Sequence, residues 1–199
     1  AEIARSQFLL GSLADDRGEN DTAWSFYSQS LSLVRELGDA APIPGLLNNL
    51  GYIARRQGHA EVARSLLEES LALHRRRGKP WGVATAAANL GNLARTQGDY
   101  TLARTLLEQS LAIGRQLGNK QIIGHGLVYL GMVAHKEGNY PSAGAMYRQS
   151  LALRREIDDP AGMADCLEGL ALVVWREKEG PDGLLAAARL MGSASALHE

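Results

Sequence analysis

The chain has 199 residues, a formal net charge of −1 and 45% hydrophobic residues, a balance that indicates neither disorder nor a membrane class. So even a charge argues against gripping nucleic acid mainly through electrostatics. The single cysteine, Cys166, excludes an intrachain disulfide and a cysteine-rich zinc site, and it fits a reducing, cytoplasmic setting.

The N-terminal residues Ala1-Glu2-Ile3-Ala4-Arg5 already read as helix and carry no signal-peptide pattern, so we expect a piece of a longer protein. A period of 40 residues follows. Leu10-Gly11, Leu50-Gly51, Leu90-Gly91 and Leu130-Gly131 recur at that spacing. So do Gly18, Gly58, Gly98 and Gly138, and then Ala23, Ala63, Ala103 and Ala143. Ser30, Ser70, Ser110 and Ser150, each followed by leucine, and Arg35, Arg75, Arg115 and Arg155 complete the columns. Such a period marks stacked supersecondary units.

Each unit reads as two helices. In the second, Leu47, Leu50, Ile53 and Ala54 share one helical face, and Gly58 breaks the helix. Ala63, Leu66, Leu67, Ser70 and Leu71 form the next apolar face. Arg75, Arg76 and Arg77 suit the negative end of its dipole. Gly51 and Ala63 mark the closest approach of the two helices. The third unit repeats the pattern with Leu90, Leu93 and Ala94, then Ala103, Leu106, Leu107, Ser110 and Leu111. In the fourth, Pro141 falls at a helix start, where proline is tolerated. Leu170-Ala171 opens a fifth, atypical unit, whose turn from Glu177 to Gly183 is longer than the others. The expected organisation is one repeat domain over 1–199, with units at about 4–43, 44–83, 84–123, 124–163 and 164–199.

The columns Leu50-Gly51, Gly58, Ala63, Leu67 and Ser70 resemble the tetratricopeptide repeat (TPR), in a form six residues longer than the usual period. The long form is similar to the arrays of kinesin light chains and cell-polarity adaptors. The stretch Ala103–Leu111 and the alanine-rich tail Ala186–Ala194 resemble the repeat region of bacterial LuxR-type signal-transduction ATPases. The resemblance implies an all-α, right-handed superhelix of about five helix pairs, with each first helix lining a concave groove. It also implies protein binding in a regulatory or sensor part of a larger bacterial protein.

The groove residues so implied are Asn48, Asn49, Tyr52 and Arg55 in the second unit, and Asn89, Asn92 and Arg95 in the third. Tyr129, Met132 and His135 follow in the fourth, and Asp165, Glu168, Leu172 and Trp175 in the fifth. Asparagine amides both donate and accept, which suits the backbone of an extended peptide. Arginine suits acidic groups. The plainer reading is a solvated polar groove. The expected partner is a protein or peptide segment, acidic segments included, with no nucleic acid and no membrane. The alternatives are a small effector held near Tyr129, Met132 and His135, and self-association through the C-terminal helix.

No catalytic chemistry is legible. The five histidines form no His-Glu-x-x-His pair, Gly78-Lys79-Pro80 is no phosphate loop, and no Gly-x-Ser-x-Gly elbow occurs. Cys166 reads as a small packed residue, and Trp24, Trp81 and Trp175 share no column and read as packing residues. The expectation is therefore a non-enzyme with no metal and no cofactor.

Overall fold

The computed structural model describes residues 1–177 and 181–197. It is helical throughout these residues and divides into two compact units, 1–97 and 98–199. The first unit holds α1 (Glu2–Asp16), α2 (Asn20–Glu36), α3 (Ile43–Arg56), α4 (Ala60–Arg76) and α5 (Pro80–Thr96). The second holds α6 (Tyr100–Gln116), α7 (Lys120–Lys136), α8 (Tyr140–Glu156), α9 (Pro160–Glu177) and α10 (Pro181–Ser195). Within each unit, consecutive helices pack on one another, and α3 also meets α5 while α7 meets α9. Residues 178–180, in the turn read as elongated, lie outside the described residues, as does His198.

The turns explain the regularity. Gly18, Gly38, Gly58, Gly78, Gly98, Gly118 and Gly138 all have positive φ and recur every 20 residues. At the ends of α1, α3 and α7 the glycine and its successor close a helix-ending motif, as when Gly58 N–H donates to Arg55 and His59 N–H donates to Ala54. Asp158 holds the next place in the series at φ 52°. In the second unit, Asp99, Asn119, Asn139 and Asp159 cap the helices that follow by accepting from Leu102, Ile122, Ser142 and Gly162 N–H.

Glycines on the first helices are sockets. A Cβ on Gly51 would lie 2.6 Å from the Leu67 side chain and 3.3 Å from the Ala63 carbonyl. On Gly11 and Gly131 it would lie 2.7 and 2.9 Å from the rings of Tyr27 and Tyr147. The serine column adds a polar tie that the sequence did not suggest. Ser30 Oγ donates to the Ala4 carbonyl and Ser70 Oγ to Pro44, each at 2.7 Å, and Ser150 Oγ donates to Gly124 at 3.0 Å.

A second set of sockets lies where one pair meets the next. His74 packs against Gly82, Gly114 receives Ile122, and Arg154 packs against Gly162. In each case one partner is glycine and the other bulky. Charged groups add links of the same kind, with Arg64 donating to Gln97 and Arg104 pairing with Glu137. The Arg77 guanidinium forks onto the carbonyls of Ala40 and Ala41 at 2.7 and 2.9 Å, so this member of the basic cluster ties down the link before α3.

The core of the first unit gathers Tyr27, Leu31, Val34, Leu46, Leu47, Leu50 and Ile53. That of the second gathers Val128, Tyr147, Cys166, Leu170 and Val173, so the cysteine is packed. Among the described residues no helix is long and apolar enough to cross a membrane.

Candidate functional site

Two adjoining first helices, α3 and α5, carry the polar columns of the first unit. Asn49, Tyr52, Arg55, Asn89 and Arg95 are half-buried along this face. Asn48 and Asn92 are buried, at 8% and 3% exposure. Asn89 Nδ2 donates to Asn48 Oδ1 at 3.0 Å, and Arg95 Nε donates to Asn92 Oδ1 at 2.9 Å. The two buried amides thus support their more exposed neighbours. Asn49 hydrogen-bonds the hydroxyl of Tyr27, whose pKa is raised, chiefly by burial.

Arg55 and Arg56 both lie over the Tyr52 ring, with guanidinium carbons 5.3 and 5.6 Å from its centroid. Arg56 is also paired with Asp15 at 2.9 Å. Arg55 Nε is buried and has no hydrogen-bond partner. Buried donors are rarely left so, which makes this nitrogen a feature that needs a reason.

In the second unit, α7 and α9 adjoin. Tyr129 and Met132 are half-buried and pack against the core, which limits what their side chains offer outward. His135 stands edge-on to Tyr140 with ring centroids 5.2 Å apart, and its Nδ1 is buried without a partner. Burial, then Lys136 and Arg176, hold its imidazole below the usual pKa. Asp165, Glu168, Leu172 and Trp175 are exposed on α9. Trp81 and Trp175 are surface residues, 59% and 49% exposed, rather than the packing residues expected, whereas Trp24 does pack against the first core.

Sequence reasoning missed a polar cluster at the α8–α9 junction. Arg154 is 3% exposed, pairs with Asp159, and donates from Nε to Ser150 Oγ at 3.3 Å. Burial alone would raise the Asp159 carboxyl, but the Gly162 amide and Arg154 outweigh it and lower the pKa. His125 is pushed down to about 4, by burial first and then by Arg154. Burial raises the Cys166 thiol. Glycine at 162 was the available signal, since it leaves room for a large neighbour. Among the described residues no three His, Cys, Asp or Glu side chains gather as a metal site.

The first unit also contains a cavity of about 700 Å³ walled by Ala4, Phe8, Val34, Pro42 and Leu46, with Arg5, Asp39 and His74 among its polar lining.

Helix pairs joined by glycine turns, knob-into-glycine sockets and a 40-residue period define a helical-repeat protein. Residues 42–116 match the family model described as tetratricopeptide repeat. No curated protein matches it.

Solved structures share the fold. The Rap protein complexed with Competence and Sporulation Factor aligns with a TM-score of 0.86 at 13% identity, over 97% of this chain and 54% of Rap. The quorum sensor NprR from B. thuringiensis, in its apo form, aligns at 0.72 with 18% identity, over 96% of this chain and 52% of NprR. The nearly identical TPR-like repeats of a Podosopora anserina kinesin light chain align at 0.65 with 16% identity, over 98% and 94% of the two chains. The chain thus spans about half the length of Rap and of NprR.

Proposed function

We propose that the chain is a protein-interaction module that holds an extended partner segment against its first helices. In the first unit Asn49, Tyr52, Arg55, Asn89 and Arg95 would form the contact surface, with Asn48 and Asn92 as its buried support. In the second unit the same role falls to Tyr129, Met132 and His135. The observation that carries this reading is the unpartnered Arg55 Nε above Tyr52. A partner carboxylate would supply the missing acceptor, and a guanidinium suits it through two parallel bonds. That chemistry favours an acidic segment.

Rap, with its bound factor, and the quorum sensor NprR support placing such a module in a larger bacterial regulatory protein. A cytoplasmic, non-enzymatic role fits this reading. A second reading, a small effector, draws on the apolar cavity beside Phe8 and His74 rather than on Tyr129, Met132 and His135.

The test is peptide-array binding followed by fluorescence anisotropy on the wild type, on a Tyr52→Ala/Arg55→Ala variant and on Arg55→Lys. The wild type should select acidic peptides. The double variant should lose at least about tenfold in affinity, the scale of one lost charged hydrogen bond. Arg55→Lys, which cannot make the two-point contact, should fall between them. Equal binding by wild type and double variant, with both folded by circular dichroism, would overturn the reading.

A further inference from the structure

The helices α3 and α5 are one-sided in charge. They contain the arginines Arg55, Arg56 and Arg95 and no aspartate or glutamate, although acidic and basic residues nearly cancel over the whole chain. Arg56 is paired with Asp15. Arg55 and Arg95 hold the same place in successive repeats, and both are half-buried.

The two helices present one row of residues twice. Asn49, Tyr52 and Arg55 stand at i, i+3 and i+6 on α3, and Asn89, Asn92 and Arg95 repeat that spacing on α5. Residues three apart are neighbours on a helix surface. The helices adjoin directly and are bridged by the bond from Asn89 to Asn48. Helices in such contact have axes about 8–10 Å apart. Equivalent positions, Arg55 with Arg95 and Asn49 with Asn89, therefore repeat at about that step.

A ligand that engages both copies of the row must carry its acidic groups at the same step and on one side. Along a β-strand, side chains on one side recur at every second residue, about 7 Å apart, or every fourth, about 13 Å. Neither fits. Along a polyproline II segment they recur at every third residue, about 9 Å apart, which does fit. An α-helix offers about 10.5 Å at i, i+7, but its backbone groups are bonded internally. A polyproline II backbone has no internal hydrogen bonds, so its polar groups remain for asparagine amides.

Resting on the reading of this face as a partner site, we infer that its occupant is a polyproline II segment with acidic side chains at i and i+3. One carboxylate meets Arg55 and the next meets Arg95. The first supplies the acceptor that the buried Arg55 Nε lacks. For the second, the bond from Arg95 Nε to the buried Asn92 fixes the guanidinium in place.

Fluorescence anisotropy with labelled peptides tests this. Proline-rich peptides carry two aspartates at i, i+2, at i, i+3 or at i, i+4, and an alanine-rich helical peptide carries them at i, i+7. A control has asparagine in place of both aspartates. The i, i+3 peptide should bind at least about tenfold more tightly than the other spacings, the scale of one lost charged hydrogen bond. On Arg55→Gln and on Arg95→Gln, each folded by circular dichroism, that preference should disappear, because one guanidinium cannot sense a spacing. Equal affinity for every acidic spacing, or a preference for another one, would overturn the inference while leaving an acidic partner in place. So would an i, i+3 preference that survives in both variants. If the acidic peptides bind no better than the asparagine control, the partner reading falls as well.

Discussion

Asp158 occupies the left-handed turn position that seven glycines hold elsewhere, and a side chain costs up to roughly 1 kcal/mol there. Asp158→Gly should therefore raise the melting temperature by about 2 °C in a thermal scan. His125 makes a pH prediction. The native imidazole is neutral down to about 4, while the unfolded one takes a proton near its ordinary 6.5. The unfolded state thus binds more protons between those values, and stability falls as pH drops from about 6.5 to about 4. The loss attributable to this residue is at most roughly 3 kcal/mol, at 1.36 kcal/mol per unit. His74 and His135 are lowered as well and add slope of the same sign. Asp159 has a depressed carboxyl, and its contribution is lost only as pH falls below its ordinary 3.8. Urea denaturation of the wild type and of His125→Gln at pH 7, 5.5 and 4.5 checks this, and the variant should show the shallower decline.

At the scale of helices, the junction sockets are the most exacting feature. Gly82→Ile should destabilise by about 1–3 kcal/mol through overpacking against His74. Adding His74→Gly should recover most of that loss, because the pair then copies Gly114 and Ile122. A double-mutant cycle from denaturant melts measures the coupling. These contacts also mark where sequence reading stopped. The constant columns were legible because period and helix phase both point to them, and Gly51 beside Ala63 was read correctly as a close approach. Positions 34, 74, 114 and 154 hold Val, His, Gly and Arg, and such a column looks like noise unless it is set beside 42, 82, 122 and 162. Asn48 is a groove residue in the sequence reading because it lies off the main packing face of its helix. Its column also holds Phe8, Ala88 and Val128, with Glu168 the one charged member, and the three apolar members were the sign of a packed position. Asn92 shares its column with Tyr52, Met132 and Leu172, and its buried amide oxygen accepts from Arg95.

At the scale of the whole chain, stability in repeat proteins is close to a sum of unit and nearest-neighbour terms. A lesion should therefore act regionally. Gly51→Ala forces a Cβ against Leu67 and should quicken amide hydrogen exchange across 1–97 more than across 98–199. Uniform acceleration over both stretches would mean that they open together. The paired sockets carry a further consequence for how such a chain can change in length. Duplication and loss of whole periods is the simplest way for a tandem gene to grow or shrink. Removing 79–118 would keep every constant column in phase, yet it would set His74 opposite Ile122, two bulky groups where the 74–82 and 114–122 junctions each have room for one. The modules look interchangeable by their shared letters. Their boundaries are individually keyed, so an excision of that kind would need a compensating change at the new seam before the shortened chain could fold well.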